Sequence, residues 1–464
     1  MNAYRIGCDL KRSVVPVERD INHRKMEENI FEVFPAIQKH RFFGFGGALT
    51  QASGYVLSQM DSRDARSVLA SYYGNDGVGY GFVRVPMDSC DFSTGQYSAC
   101  RTLQDFKNGA YDFSNDEAYI FKYLDIICEE AGRNVPIMFS PWSPPAYFKD
   151  NGSRIQGGRL REECYRDWAL YIARYLCEYR RRGYNVWALS IQNEPHAIQT
   201  WDSCLYTAHE ERKFLVEHLK DALEANGLGD VLVLFWDHNK ERLVSRAESF
   251  LDEESRKAVG GIAFHGYCGD HFGNIGWYRS SNPMHRVVMS EFCMGFDDRD
   301  DYLKQLRVYG HEYINDVFYG ADTMIDWNLV LDCNGGPNHV GNYCMAPFMA
   351  DSRFKPHSNM AFEVIKAVSR TAGSNGRVLY HSSFRSDIDA VSFLRADGSI
   401  GIVFGAFEGV VEDDLGVSGV GKDGKAACGR VVNVRIGECI FRLSLESDAL
   451  TVLEIDENEY GVCR

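Results

Sequence analysis

From about residue 42 the chain alternates short apolar runs with longer stretches in which apolar residues recur every three to four positions. The short runs predict strands at 42–45, 80–85, 135–140, 186–191, 231–235, 262–267, 286–292 and 324–330. Helical stretches fall between most of them. Residues 165–182 read YRDWALYIARYLCEYRRR, with a basic last turn that suits the negative end of a helix dipole. Residues 210–226 have the same texture and stop before Gly227. Eight strands alternating with helices over roughly 300 residues predict an α/β protein built as a (β/α)8 TIM barrel. A doubly wound open sheet would carry a glycine-rich phosphate loop, and no GxGxxG or GxxxxGK[ST] follows any of these runs.

After about residue 375 the pattern shortens. Runs at 390–395, 400–404, 431–436 and 450–455 are β-branched and separated by Gly, Asp and Asn, which predicts an appended antiparallel β-sandwich. Segments 31–33 and 38–42 read as further strands. The expected organisation is therefore 1–40 as N-terminal strands joining the sandwich, 41–372 as the barrel and 373–464 as the sandwich.

Composition narrows the partners. The 464 residues carry a net charge of −15, with no Lys/Arg block to track phosphates, so neither nucleic acid nor an anionic membrane surface is an expected partner. No apolar run approaches the roughly 18 residues of a membrane span. The first twelve residues carry Arg5, Asp9, Lys11 and Arg12 where a signal peptide would be apolar, so a cytoplasmic location is expected. The 14 cysteines contain no CxxC pair, which disfavours structural zinc and casts them as small apolar packers. Homo-oligomerisation is left open.

In a barrel the working residues sit at the C-terminal ends of the strands. The fourth run ends in Gln192-Asn193-Glu194-Pro195 and the seventh in Ser290-Glu291-Phe292-Cys293. A glutamate beside such apolar runs is costly unless it is hydrogen-bonded at the sheet rim. Two of them on opposed strands are the equipment of glycoside cleavage, where one carboxyl protonates the leaving oxygen and the other attacks the anomeric carbon. In retaining enzymes the pair lies roughly 5–5.5 Å apart. The remaining strand ends supply Arg84, Asp91, Phe92, Trp142, Trp236, Asp237, His265, Tyr267, Trp327 and Asn328. Indole faces and Asp or Asn tips are what a neutral polyol needs. His265 by itself reads as a satisfied structural histidine. No HExxH or other ligand cluster appears, so no metal and no cofactor is expected.

These segments resemble glycoside hydrolase family 30, which holds glucosylceramidases and bacterial β-glycosidases. The resemblance is carried by GFGGALT from Gly44, RVPMDSCDFS from Arg84, SPWSPPAYFKDNG from Ser140, SIQNEP from Ser190 and WDSCLYTAHEE from Trp201. Later come FHGY from Phe264, MSEFC from Met289 and WNLVLDCNGGPNHVGNYC from Trp327. The resemblance implies Glu194 as acid/base and Glu291 as nucleophile, with Arg84 and Tyr267 holding the nucleophile. It implies Asp91, Phe92, Trp142, Asn193, Trp327 and Asn342 as the lining of a sugar pocket. Gly266 replaces an aromatic of that pattern, Gln51 an acidic residue and Asp88 a small one, and 97–100 lacks paired tyrosines. These differences bear on the aglycone side.

The expected activity is a retaining β-glycosidase, exo-acting on β-glucosides or β-xylosides, with a small β-glycoside, an oligosaccharide or a glycolipid as substrate. The alternatives are an endo-β-1,6-glucanase or, in another class, a catalytically silent carbohydrate-binding barrel. A silent barrel would have no need of two opposed carboxylates. An aldolase-like barrel would need a strand-end lysine, and none is supplied.

Overall fold

The computed structural model describes residues 1–20, 28–407 and 430–461. Eight parallel strands close into a barrel. They are β1 (Gly44–Ala48), β2 (Phe82–Met87), β3 (Ile137–Pro141), β4 (Val186–Ser190), β5 (Leu232–Asn239), β6 (Gly261–His265), β7 (Arg286–Glu291) and β8 (Thr323–Asp326). The first begins with glycines because its neighbours come very close. A Cβ at Gly46 would sit 2.5 Å from the Phe82 carbonyl oxygen, and one at Gly47 2.4 Å from Leu329.

Strand edges differ from the sequence pattern where chemistry interrupts it. The expected run 324–330 breaks after Asp326, because Asn328 takes a left-handed φ of 62°. Its tail, Val330–Leu331, leaves the barrel for a small sheet with Phe348–Ala350 and Pro356–Ser358. Conversely β5 runs on to Asn239, past the apolar run, because its polar tip still pairs with β6.

Inside the barrel, Met138, Ala188, Leu234, Ala263, Val288 and Ile325 form one packed layer, one residue from each of β3 to β8. Strand side chains alternate with period two, so the next layer up falls on Ser140, Ser190, His265 and Ser290. Outside, helix Tyr165–Arg181 buries the stripe Trp168, Tyr171, Ile172, Tyr175, Leu176 and Tyr179.

The chain divides into two compact units: Phe45–Phe296 with Thr323–His357, and Met1–Gly44 with Asp297–Asp322 and Ser358–Arg464. Helices Tyr302–Tyr319 and Met360–Ala372 fall within the sequence span expected for the barrel. They pack instead on strands Asp389–Leu394 and Ile400–Gly405 of the second unit.

The second unit's strands form one hydrogen-bonded ladder, mostly antiparallel, with Ile30–Arg41 parallel to Arg430–Ile436. The two expected strands 31–33 and 38–42 are parts of that single long strand, bent by register shifts opposite Leu379. Phe31, Phe404, Val434, Phe441 and Leu453, from separated positions in the ladder, share one core. The sheet therefore closes on itself as a sandwich. Among the described residues, ending the chain at residue 375 removes both partners of Ile30–Arg41 and the one pairing partner of Asn2–Gly7 besides Arg12–Val14. That exposes sheet edges and an apolar face. The truncated protein is expected to aggregate or to lose cooperative melting; a soluble fragment with a sharp thermal transition and full activity would contradict this.

Candidate active site

The polar layer above the barrel core is organised around three carboxyls, two of them buried and Glu194 half-buried, and two cations. Arg84, fully buried on β2, donates from Nη1 to Glu291 Oε2 at 2.5 Å. Its Nη2 donates to Asn193 Oδ1 at 2.8 Å and to Asp237 Oδ2 at 3.1 Å, and its Nε to Ser140 Oγ at 3.1 Å. The guanidinium also lies 4.9 Å from the Trp142 ring centre and 5.4 Å from that of Trp327. Six neighbours fix its plane. Tyr267 donates its hydroxyl to the other oxygen of Glu291 at 3.1 Å.

Two bulges aim these groups. The β5–β6 register slips at Ala263/Phe264, where Trp236 and Asp237 take left-handed φ of 75° and 50°. The β6–β7 register slips at Phe264/His265, opposite Ser290. Each inserts one residue and redirects the next side chain. Asp237 thereby joins Arg84, Ser140, Ser290 and His265. Glu194, just past β4, also holds a left-handed φ of 45°, with its backbone N–H on the Asp237 carbonyl at 2.9 Å. Such strain persists only where surrounding contacts over-determine it, as at working sites.

His265 bridges the carboxyls, with Nδ1 3.3 Å from Glu194 Oε1 and Nε2 3.3 Å from Asp237 Oδ1. Burial alone would lower its pKa, but the charge on Glu291 and the bonds to Asp237 and Glu194 push it up to about 10. It is an imidazolium donating from both nitrogens. Asp237, although buried, is held well below the usual carboxylate range by Arg84 and His265. Burial would raise Glu194, but the His265 hydrogen bond and the nearby charges of His238 and His265 outweigh it and keep it below its ordinary value. Carboxylate oxygens of Glu194 and Glu291 and a ring nitrogen of His265 lie within 4.8 Å of one another. At that pKa His265 supplies positive charge between these acids.

The side wall carries the rings. Trp142 and Trp327 stack at 5.4 Å and 21°, and Phe92 meets Trp327 edge-on at 5.8 Å. Asn342 donates to Asp91 Oδ2 at 2.9 Å, while Asp91 Oδ1 is buried with no partner among the described residues. Burial and the charge on Glu291 push the Asp91 carboxyl up to about 8.

All ten side chains singled out from the sequence thus cluster at the C-terminal ends of the strands. Asp237 was noted at its strand end without an assigned role, Ser140 and Ser290 were given none, and His265 was discounted. Their positions one residue from an apolar run were visible, but the bulges that turn them inward were not. Two of the sequence differences take structural parts. Asp88 is buried, accepting from Tyr171 Oη at 2.8 Å and Ala99 N at 2.8 Å, 3.6 Å from Arg154. Gln51 ties Thr94 and Asn115 to the first helix, Gln51–Gln59. The cysteines are not all packers either: Cys8 and Cys333 are exposed, and Cys293 Sγ lies 3.5 Å from the Tyr267 hydroxyl.

A closed β/α barrel with paired glutamates, a bridging imidazolium and an aromatic wall at its strand ends has the architecture of a glycoside hydrolase. Residues 42–362 match the glycosyl hydrolase family 30 TIM-barrel domain, and the chain belongs to that family. It is 30% identical over 382 residues to the lysosomal acid glucosylceramidase of Mus musculus, covering 78% of this chain and 74% of that one. The crystal structure of SrfJ from Salmonella typhimurium superposes with a TM-score of 0.88 at 33% identity, covering 98% of this chain and 100% of that one. The endo-β1,6-glucanase BT3312 shares the fold, with a TM-score of 0.82 at 21% identity over 98% of this chain and 99% of that one. The protein is a glycoside hydrolase with a glycoside or glycolipid substrate. Among the described residues no helix is long and apolar enough to cross a membrane.

Proposed function

We propose that the protein is a retaining, exo-acting β-glycosidase of glucosidase or xylosidase type, with Glu291 as nucleophile and Glu194 as acid/base. The observation that carries this reading is the approach of the two glutamates, whose nearest ligand oxygens lie within 4.8 Å. That spacing suits direct attack by one carboxylate and leaves no room for the water an inverting enzyme needs. Glu291 is held and aimed by Arg84 and Tyr267. Glu194 lacks such a clamp and has the more accessible side chain, as a proton donor to a leaving group must. In this reading the Asp91–Asn342 pair and the Trp142–Trp327 stack hold the sugar, Asp91 Oδ1 accepting from a hydroxyl. A panel of aryl β-glucoside, xyloside, galactoside and fucoside, with a β-1,6-glucan beside it, tests it. Hydrolysis of the glucan alone would favour the endo-β-1,6-glucanase alternative.

The charge on His265 has a kinetic consequence. Glu194 acts as an acid only while protonated, so activity falls as pH rises through its pKa. His265 holds that pKa down. Replacing it by Asn removes the charge and the bond, the Glu194 carboxyl moves up, and the basic limb of kcat/KM moves to higher pH. A limb that stays in place in a folded His265→Asn enzyme would count against Glu194 as the acid.

A further inference from the structure

Behind Glu194 lies a groove of about 390 Å³ whose lining includes Pro195, His196, Trp236, Arg159, Arg242 and Arg246. It is in the size range of small-ligand sites. It adjoins the acid/base position: Pro195 and His196, which line it, follow Glu194 directly, and the Trp236 ring lies 5.1 Å from that of His238, whose Nε2 is 3.7 Å from Glu194. Among the described residues no Asp or Glu lines it, although the protein as a whole carries a net charge of −15. Two of its arginines are already neutralised, Arg159 by Glu210 and Arg246 by Glu211 at 2.9 Å. Arg246 lies 5.0 Å from the Trp236 ring centre. Arg242 has no carboxylate partner among the described residues. Its Nη1 sits 3.1 Å from His196 Nε2. Partial burial and the charges of Arg242 and Arg246 hold His196 below its ordinary value against the opposing charge of Glu241, so this imidazole adds no charge of its own beside Arg242. The groove therefore mixes apolar lining from Pro195, Ile198 and Leu205 with the guanidinium of Arg242 at its edge.

We infer that this groove is a leaving-group subsite for an aglycone carrying a phosphate-type anion, bound by Arg242. The inference rests on Glu194 being the acid/base, since the group that residue protonates leaves on its side of the site. A guanidinium favours a phosphate oxyanion through charge-assisted, paired hydrogen bonds.

The test uses the full-length protein with two β-glucosides that share an alkyl leaving group, glyceryl β-glucoside and its phosphate monoester. Phenyl phosphate and phenol are titrated in parallel by calorimetry. Expected are a kcat/KM about tenfold higher for the phosphate monoester, binding of phenyl phosphate but not phenol, and competition between phenyl phosphate and substrate. Arg242→Gln should bring the ratio of the two substrates near one and weaken phenyl phosphate, and added salt should do the same by screening. Equal kcat/KM for both glucosides, absence of phenyl phosphate binding, or binding that does not compete with substrate would each overturn the inference. Competitive phenyl phosphate binding against an aryl xyloside, with neither glucoside cut, would uphold the groove and correct only the sugar. If no β-glycoside at all is hydrolysed, the activity assigned to Glu194 falls, and the inference falls with it.

Discussion

The Glu291→Gln enzyme is expected to lose turnover by roughly 10⁴-fold or more while keeping its fold, because the covalent route disappears with the nucleophile. Tenfold in rate is about 1.4 kcal/mol, so the lost transition-state stabilisation is at least about 5 kcal/mol. The fold should survive, since Gln keeps the shape and Arg84 keeps Asp237, Asn193 and Ser140 as partners. A buried guanidinium stripped of every carboxylate would be a different matter. Two measurements check this: single-turnover rates on an aryl glycoside, and labelling of the wild-type enzyme by a 2-deoxy-2-fluoro glycoside followed by peptide mass analysis. The label should sit on Glu291. A label on another carboxylate, with Glu291 untouched, would remove it from the nucleophile's role.

Glu194→Ala should separate substrates by how much their leaving group needs a proton. An alkyl glycoside departs as a poor alkoxide, and its rate should fall by about 10²–10⁴, the usual worth of general acid catalysis. A dinitrophenyl glycoside departs as a stable phenolate, so its glycosyl intermediate should form almost normally and then stall, with no base to activate water. Azide needs no base. It should restore turnover and give a β-glycosyl azide, the configuration that double displacement demands. The variant should also lose the basic limb of its pH–rate profile. Equal losses on both substrates without azide rescue would mean that Glu194 only positions the sugar. An α-configured azide would refute retention altogether.

How far the site was legible follows from the kind of residue. Glu194 and Glu291 stand out because a carboxyl within three residues after VWALSI or VVM is expensive unless it works. Arg84, Asp91, Trp142 and Trp327 were legible through their places at strand ends. Asp237 and His265 were less so. A histidine on an apolar run is ordinarily a packed one, and its protonation depends on three carboxyls from three other strands. No local pattern encodes that encounter.

The same division holds for the fold. Period-two and period-3.6 patterning, with a β-branched tail, determined by themselves that a barrel would be joined to an antiparallel sheet, because patterning decides which face of each element must be buried. Only the tertiary structure decided that helices Tyr302–Tyr319 and Met360–Ala372 pack with the sheet, since an amphipathic helix specifies an apolar face but not its partner. The bulges at Asp237 and Ser290 were likewise settled only by pairing with β6. A bulge is a mismatch between two strands, and neither strand carries it alone.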